Sequence, residues 1–390
     1  MNKDLEIILI GTGHYVCGRD KDNYGTILPA ILSFSKLNNF KVKIIVGINN
    51  NKSEKIFSKK LNELIKLLAV EDLISHECIY CDGSPVTFTN KYNSNSEFKA
   101  GIISIPDHLH FLWAEHLIKS KIPLLVVKPL TLKFKDSLEL FYLSKTLSTP
   151  IYVEFHKRFD RQLKFTKDSF QKGLIGNLLY AFTEYTQKKE VPLENFQSWA
   201  DLTNIFSYLG VHYVDAIRYI TEAIPKRISA TGQKEFLIKN GINTYDAIQC
   251  NLEWETTNKK IFNQIIICSW IESNQSSSMS KQDLHLVGTN GRLDCEQKDR
   301  GLKILTDLKP TEEINPDFTR MYSYNDANIF EGYGIESIST FIKNIITKES
   351  QFKDKRLCSV KEALFSTAVI ENCYESLRKN SEWIDINIDL

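Results

Sequence analysis

Two side chains in this sequence stand where charge and proton chemistry could be done. Lys128 follows the apolar run PLLVV (123–127) and precedes Pro129, which puts an ammonium group at the carboxyl end of a buried strand. Ligands of open α/β sheets collect along that edge, and a cation there suits an oxygen that gains negative charge during a reaction. His212 lies in NIFSYLGVHYVDAIRYITE (204–222), where Asn204, Tyr208, His212 and Asp215 recur at intervals of four, four and three and so share one side of a helix. An imidazole titrates near neutrality, and a phenol one turn away can donate or relay its proton. A histidine tied to a backbone carbonyl or to Asp215 is the purely structural alternative.

Other stretches could hold a ligand rather than react with it. Gly11 and Gly13, with Thr12 between them, follow the strand-like run LEIILI, the context in which a glycine turn lets backbone N–H groups approach a pyrophosphate. The third glycine of the usual spacing would fall at Val16. Gly18 or, better, Gly25 at the head of GTILPAILSF could take that role, which makes HYVCGRDKDNY (14–24) an insertion. The same glycines also suit an ordinary tight turn. At the end of the second strand, where NAD-binding folds usually carry an acid, the chain has Asn49 and Asn50, followed by Lys52, Ser53 and Lys55. Nothing there repels a 2′-phosphate, so NADP is permitted beside NAD; a plain polar loop is the other reading. His156, Lys157 and Arg158 form a basic trio that suits a phosphate or carboxylate, or solvent. Cys78 and Cys81 lack a second pair at metal-site spacing, so no metal is expected, and neither a GxSxG elbow nor an HExxH helix occurs.

These residues need elements to hold them. The runs 5–10, 41–48, 100–105, 123–127 and 150–155 are continuously apolar and alternate with helical patterns at 26–36, 55–68, 110–120 and 137–147, which predicts a doubly wound parallel sheet with helices on both faces. After about residue 155 the period changes to two. In AIQCNLEWE (247–255), Ile248, Cys250, Leu252 and Trp254 share one face, and Gln249, Asn251, Glu253 and Glu255 the other. Further strands are predicted at 177–187, 226–236, 260–271, 283–288 and 291–297, with helices near 204–222, 334–347 and 360–379 covering one face of an antiparallel sheet. The domain boundaries expected are 1–154 and 155–390, with the helix at 360–379 a candidate to pack back on the first domain. A chain with 49 basic and 48 acidic residues has no global field for nucleic acid or an anionic bilayer. Its apolar runs are far shorter than the ~20 residues of a membrane span, and without a cleavable signal pattern it reads as cytoplasmic. Its eight cysteines, mostly in apolar segments, read as reduced thiols.

In order and spacing, ILIGTG (8–13), IPDHLH (105–110), KPL (128–130), GVHYVD (210–215), HLVGTNGRLD (285–294) and GYGIESISTFIKNI (332–345) resemble the glucose-fructose oxidoreductase / inositol dehydrogenase / MocA family of NAD(P)-dependent dehydrogenases. The resemblance implies an N-terminal Rossmann domain and a C-terminal α+β domain whose open, mostly antiparallel sheet is used to form a homo-oligomer. It places the family's catalytic lysine at Lys128 and its histidine at His212. Two positions depart from the family: Val127 stands where a glutamate precedes the lysine, and Tyr208 where many members carry aspartate. The implied activity is hydride transfer between NAD or NADP and a secondary alcohol of a sugar or sugar derivative, nucleotide-linked or acidic in view of the basic trio. His212, helped by Tyr208, would take the hydroxyl proton, and Lys128 would stabilise the alkoxide. Cofactor contacts are expected at Gly11, Thr12, Gly13, Asn49, Pro106, His110 and Lys128, and substrate contacts at Lys157, Arg158, Trp199, Asp201, Asn204 and Asp215. A cofactor-binding sensor without turnover, and an enzyme that oxidises transiently toward epimerisation or elimination, are the alternatives.

Overall fold

Six short strands of mainly β-branched and leucine residues lie parallel in one sheet: β1 (Leu5–Ile10), β2 (Val42–Ile48), β3 (Ile74–Tyr80), β4 (Phe98–Ile103), β5 (Leu124–Val127) and β6 (Ile151–Glu154). Their spatial order is β6-β5-β4-β1-β2-β3, and the two-residue strand Cys358–Ser359 joins β6 antiparallel at the outer edge. The chain winds from β1 to β3 in one direction and resumes with β4 on the other side of β1. The topological switch therefore lies between β1 and β4, at the edge where all six strands end. In this computed structural model the described residues are 4–19, 23–94, 96–325, 327–347 and 354–388.

Burial explains which strands were legible. All of β1 is buried, as a sheet covered on both faces requires. The unforeseen strand β3 is an edge strand with only Ile74 and Ile79 buried, so it lacks the continuous apolar run of its neighbours. The Cys78-x-x-Cys81 pair falls at its end, and burial pushes both thiols up, away from the thiolate that redox or metal chemistry needs.

The chain forms two units. The first takes in Met1–Thr131, Lys135–Phe159 and Asp317–Lys361; the second takes in Leu132–Phe134, Asp160–Pro316 and Glu362–Leu390. The segment from Asp317 thus returns to the first unit, and from Glu362 onward the C-terminal helix Val360–Arg378 belongs to the second. Helix Tyr333–Thr347, expected over the second sheet, instead packs in the first core. Ile335, Ile338, Phe341 and Ile342 join Leu28, Ile31 and Phe159 there, and Asn344 donates to the Tyr152 hydroxyl at 3.1 Å. Its 3.6-residue periodicity announces an apolar face but does not say which sheet receives it.

The second unit is built on β7 (Leu178–Lys188), β8 (Ile224–Gln233), β9 (Ala247–Glu255), β10 (Ile261–Glu272), β11 (Ser280–Gly288) and β12 (Gly291–Glu296). The order is β12-β11-β7-β10-β9-β8, closed at the far edge by Ile384–Asp385. Only the β7–β10 pair is parallel within this sheet. The alternation in β9 holds: Ile248, Cys250, Leu252 and Trp254 are buried. The C-terminal helix covers that face, with Cys373 Sγ 3.7 Å from Cys250 Sγ and the Ser376 hydroxyl accepting from the Ala230 amide at 2.8 Å.

Candidate active site

The parallel sheet brings most of the first unit's candidates to one edge. Along it, in strand order, stand Glu154 to Arg158 after β6, Lys128 after β5, Pro106 and His110 after β4, the Gly11–Gly13 turn after β1, and Asn49 after β2.

The glycine turn is shaped by two different demands. Gly11 has φ +110, and a Cβ there would lie 2.0 Å from the Ser104 carbonyl oxygen; the close approach of the β1 and β4 ends, sealed by the Ser104 amide donating to Ile10 at 2.8 Å, excludes any side chain. At Gly13 a Cβ would meet nothing within 4 Å. That open space beside backbone N–H groups is what a diphosphate requires, so the turn fits the pyrophosphate of a dinucleotide. Gly25, with φ +71, presses against the backbone of the turn His14–Cys17, where a Cβ would lie 2.7 Å from the His14 carbonyl oxygen and 2.8 Å from the Cys17 amide nitrogen. It performs the close packing assigned to a third glycine. Of the insertion expected at 14–24, residues 20–22 lie outside the described residues. Thr12 is half-buried and its carbonyl accepts from the Cys17 thiol at 3.4 Å.

Asn49 is exposed at the end of β2, and its side-chain oxygen accepts from the Gly83 amide at 2.8 Å. Asn50 caps helix Asn51–Leu68 by accepting from Ser53. Both amides therefore have local work, and neither brings a negative charge. Pro106 opens the turn Asp107–Leu109. His110 is buried, with Nδ1 2.7 Å from the Pro129 carbonyl and Nε2 2.9 Å from the Ile105 carbonyl. It ties the end of β4 to the segment after Lys128, so it positions the edge through backbone contacts. Burial holds its imidazole below the ordinary value, against Asp107 and the two carbonyls, with Lys128 adding to the depression.

Lys128 keeps partial solvent access yet sits amid dense protein. Burial pushes its ammonium down to about 8, opposed by Asp107 and Glu154. Neither carboxylate was singled out in the sequence. Glu154 carried a usable signal, a charge directly after the buried strand residues Ile151 to Val153, the same signal that marked Lys128. Lys157 and Arg158 are buried on the turn His156–Phe159, so they are not a solvated charge run.

In the second unit the helix expected over 204–222 runs over 205–221 and contains a π-helical stretch. A π-turn, Phe206–Gly210, leads into the α-helix Val211–Thr221, a wide turn of the kind frequent at functional sites. Asn204 initiates it: its Oδ1 accepts from Phe206 at 2.9 Å and Ser207 at 3.1 Å, while its buried amide nitrogen has no hydrogen bond among the described residues. His212 and Asp215 are both buried in the following helix. The His212 ring lies 5.9 Å from the ring of Tyr185 on β7, and the half-buried Tyr208 stands among Phe196, Trp270 and Trp199 at ring distances of 5.0, 5.7 and 6.3 Å. Burial, then Tyr208, pushes the Tyr185 phenol far up, so it stays a neutral hydroxyl. Tyr185, Phe196 and Trp270 had no distinguishing mark in the sequence, because aromatic residues usually serve the core. Asp201 is exposed and accepts from the Asn243 amide at 2.7 Å, a loop contact apart from the aromatic group.

A parallel sheet with an open glycine turn, followed by a second unit with a mixed sheet, defines a two-unit α/β architecture. The family described as "Oxidoreductase family, C-terminal alpha/beta domain" matches residues 167–386, more than half of the chain. The chain belongs to that family, the glucose-fructose oxidoreductase / inositol dehydrogenase / MocA oxidoreductases. The rhizopine catabolism protein MocA of Rhizobium meliloti is 21% identical over 196 residues, which is 49% of this chain and 61% of that protein. An oxidoreductase of Synechocystis sp. is 27% identical over 85 residues, 22% of this chain and 23% of that one. The matches thus span less than two thirds of either relative. The scyllo-inositol dehydrogenase of Lactobacillus casei, solved with bound cofactor NAD(H) and scyllo-inositol, shares the fold with a TM-score of 0.69 at 13% identity, covering 98% of this chain and 99% of that one. Among the described residues, no helix is long and apolar enough to cross a membrane.

Proposed function

We propose that this protein is a NAD(P)-dependent dehydrogenase that oxidises, or in reverse forms, a secondary alcohol on a sugar, cyclitol or related polyol. The observation that carries the reading is the partly desolvated Lys128 ammonium on the same strand edge as the open Gly13 position. Gly11, Thr12, Gly13, Asn49 and Pro106 would hold the dinucleotide, and when bound it supplies the hydride acceptor or donor. Lys128 donates a hydrogen bond to the reacting oxygen and stabilises the charge that develops there. His212 takes the hydroxyl proton, and Tyr208 relays it through its phenol. Asp215 orients the imidazole. Trp199 offers a flat face to the apolar side of a sugar ring, with Asn204 Nδ2 as a donor, and Lys157 and Arg158 supply positive potential for an acidic substrate. The neutral Asn49 supports NADP at least as well as NAD.

Titration of the purified chain with NADH and with NADPH, read by nicotinamide fluorescence, tests the cofactor half. A Kd on the order of micromolar is expected, abolished in Gly13→Val, whose side chain fills the open space. No perturbation by either cofactor up to millimolar protein overturns the reading, and a hundredfold preference for NAD overturns the NADP lean. Turnover against a panel of sugars and cyclitols tests the substrate half.

The outer face of the second sheet supports a homo-oligomer. Tyr180 and Ile265 are exposed there, Phe182 is register-paired with Ile265, and the rim carries both charge signs in Lys281–Glu184 and His285–Asp294, a pattern a second copy of the same face can match. A sedimentation velocity run showing monomer alone at micromolar concentration would overturn this.

A further inference from the structure

Three titratable groups from three elements are coupled electrostatically to Lys128: Asp107 in the turn after β4, whose influence is the largest, Glu154 at the end of β6, and His110 at the head of helix His110–Lys119. β5 itself brings no charge, because the residue before the lysine is Val127. In the sheet register Val127 pairs with Glu154, so a carboxylate enters from the neighbouring strand one residue before the lysine. Glu154 is only 1% exposed. Its Oε2 lies 3.2 Å from His156 Nδ1, which also lies 3.4 Å from the Tyr15 hydroxyl, and the rings of Phe318 and Tyr333 pack against His156 at 5.0 and 5.7 Å. The other carboxylate oxygen is buried and accepts no hydrogen bond among the described residues. A buried carboxylate oxygen without a donor is costly unless a nearby cation compensates it, and Lys128 lies within electrostatic range.

We propose that Glu154, held in place by His156, is the positioning residue that keeps Lys128 protonated at the carboxyl edge of the sheet. The inference rests on the reading that Lys128 serves the reacting oxygen. The sign follows from the opposing influences: burial lowers the ammonium's titration and the carboxylates hold it up, so removing a carboxylate lowers it further. Lys128 then loses its charge at a lower pH, and any activity that needs the ammonium loses its alkaline limb at that lower pH.

The test is trace acetylation of the full-length chain across a pH series, with the Lys128 peptide quantified by mass spectrometry. The wild-type lysine should titrate at about 8. Glu154→Gln should titrate about one pH unit lower, with Glu154→Asp between the two, and the alkaline limb of kcat should move by the same amount. Glu154→Met, apolar and of similar length, is the second variant should the glutamine variant fail to fold, and the same shift is expected of it. An unmoved Lys128 titration in a folded variant overturns the proposal, as does a downward shift in Asp107→Asn alone. If titration moves but Lys128→Met retains its turnover, the electrostatic inference stands and the catalytic reading falls. If Lys128→Met loses turnover while Glu154→Gln leaves the titration unchanged, the inference falls by itself.

Discussion

The carboxyl edge of the first sheet and the His212 region of the second unit surround their candidate groups by opposite means. At the edge, a lysine whose solvation is reduced is balanced by two carboxylates, Asp107 and Glu154, so its charge state is set by electrostatics. Around His212 rings gather, Tyr185 directly and Phe196, Trp199 and Trp270 around Tyr208, with the buried Asp215 on the same helix. Aromatic walls fix position and exclude water but bring no ionic charge. On the proposed reading the first region governs pH dependence at its alkaline end, and the second governs how substrate and proton are placed.

The largest effects should come from the two groups themselves. Lys128→Met removes a hydrogen bond that is strongest in the transition state and should lower kcat by about two to three decades with cofactor Kd unchanged. His212→Asn should cost a similar factor and also remove the near-neutral limb of the pH–rate profile; steady-state kinetics of both variants across pH would show whether the two limbs separate as the comparison requires. Tyr208→Phe should be milder, about tenfold or less, if the phenol only relays the proton. Equal losses for Tyr208→Phe and His212→Asn would mean that the phenol is itself the base. Alanine substitutions in the glycine turn, tested without cofactor, read stability instead. Gly11→Ala should destabilise by about 3 kcal/mol through the forbidden φ and the Ser104 clash, whereas Gly13→Ala should leave Tm near the wild type, which thermal unfolding without cofactor would check.

The same contrast governs what could be read in advance. Lys128 and the glycine turn were legible because a buried parallel strand prints a continuous apolar run, and whatever ends that run stands at the ligand edge. Glu154 ends such a run as well and was passed over in favour of the basic residues beside it. The ring environment of His212 was not legible, since Tyr185, Phe196 and Trp270 come from β7, the loop after it and β10, and only the tertiary fold gathers them. The helix expected over 204–222 is present, but the π-turn near its start was not legible, since hydrophobic periodicity does not distinguish a wide turn from an α-turn. Helix Tyr333–Thr347 went to the first core because an amphipathic pattern has no address.

The most direct test of hydride transfer is isotopic. A polyol that the chain turns over, deuterated at the carbinol carbon, should deliver its deuterium to C4 of the nicotinamide in a single turnover, with a primary kinetic isotope effect on the chemical step and loss of that delivery in Lys128→Met. Product formed while the deuterium is released to water, with none on the nicotinamide, would contradict the account.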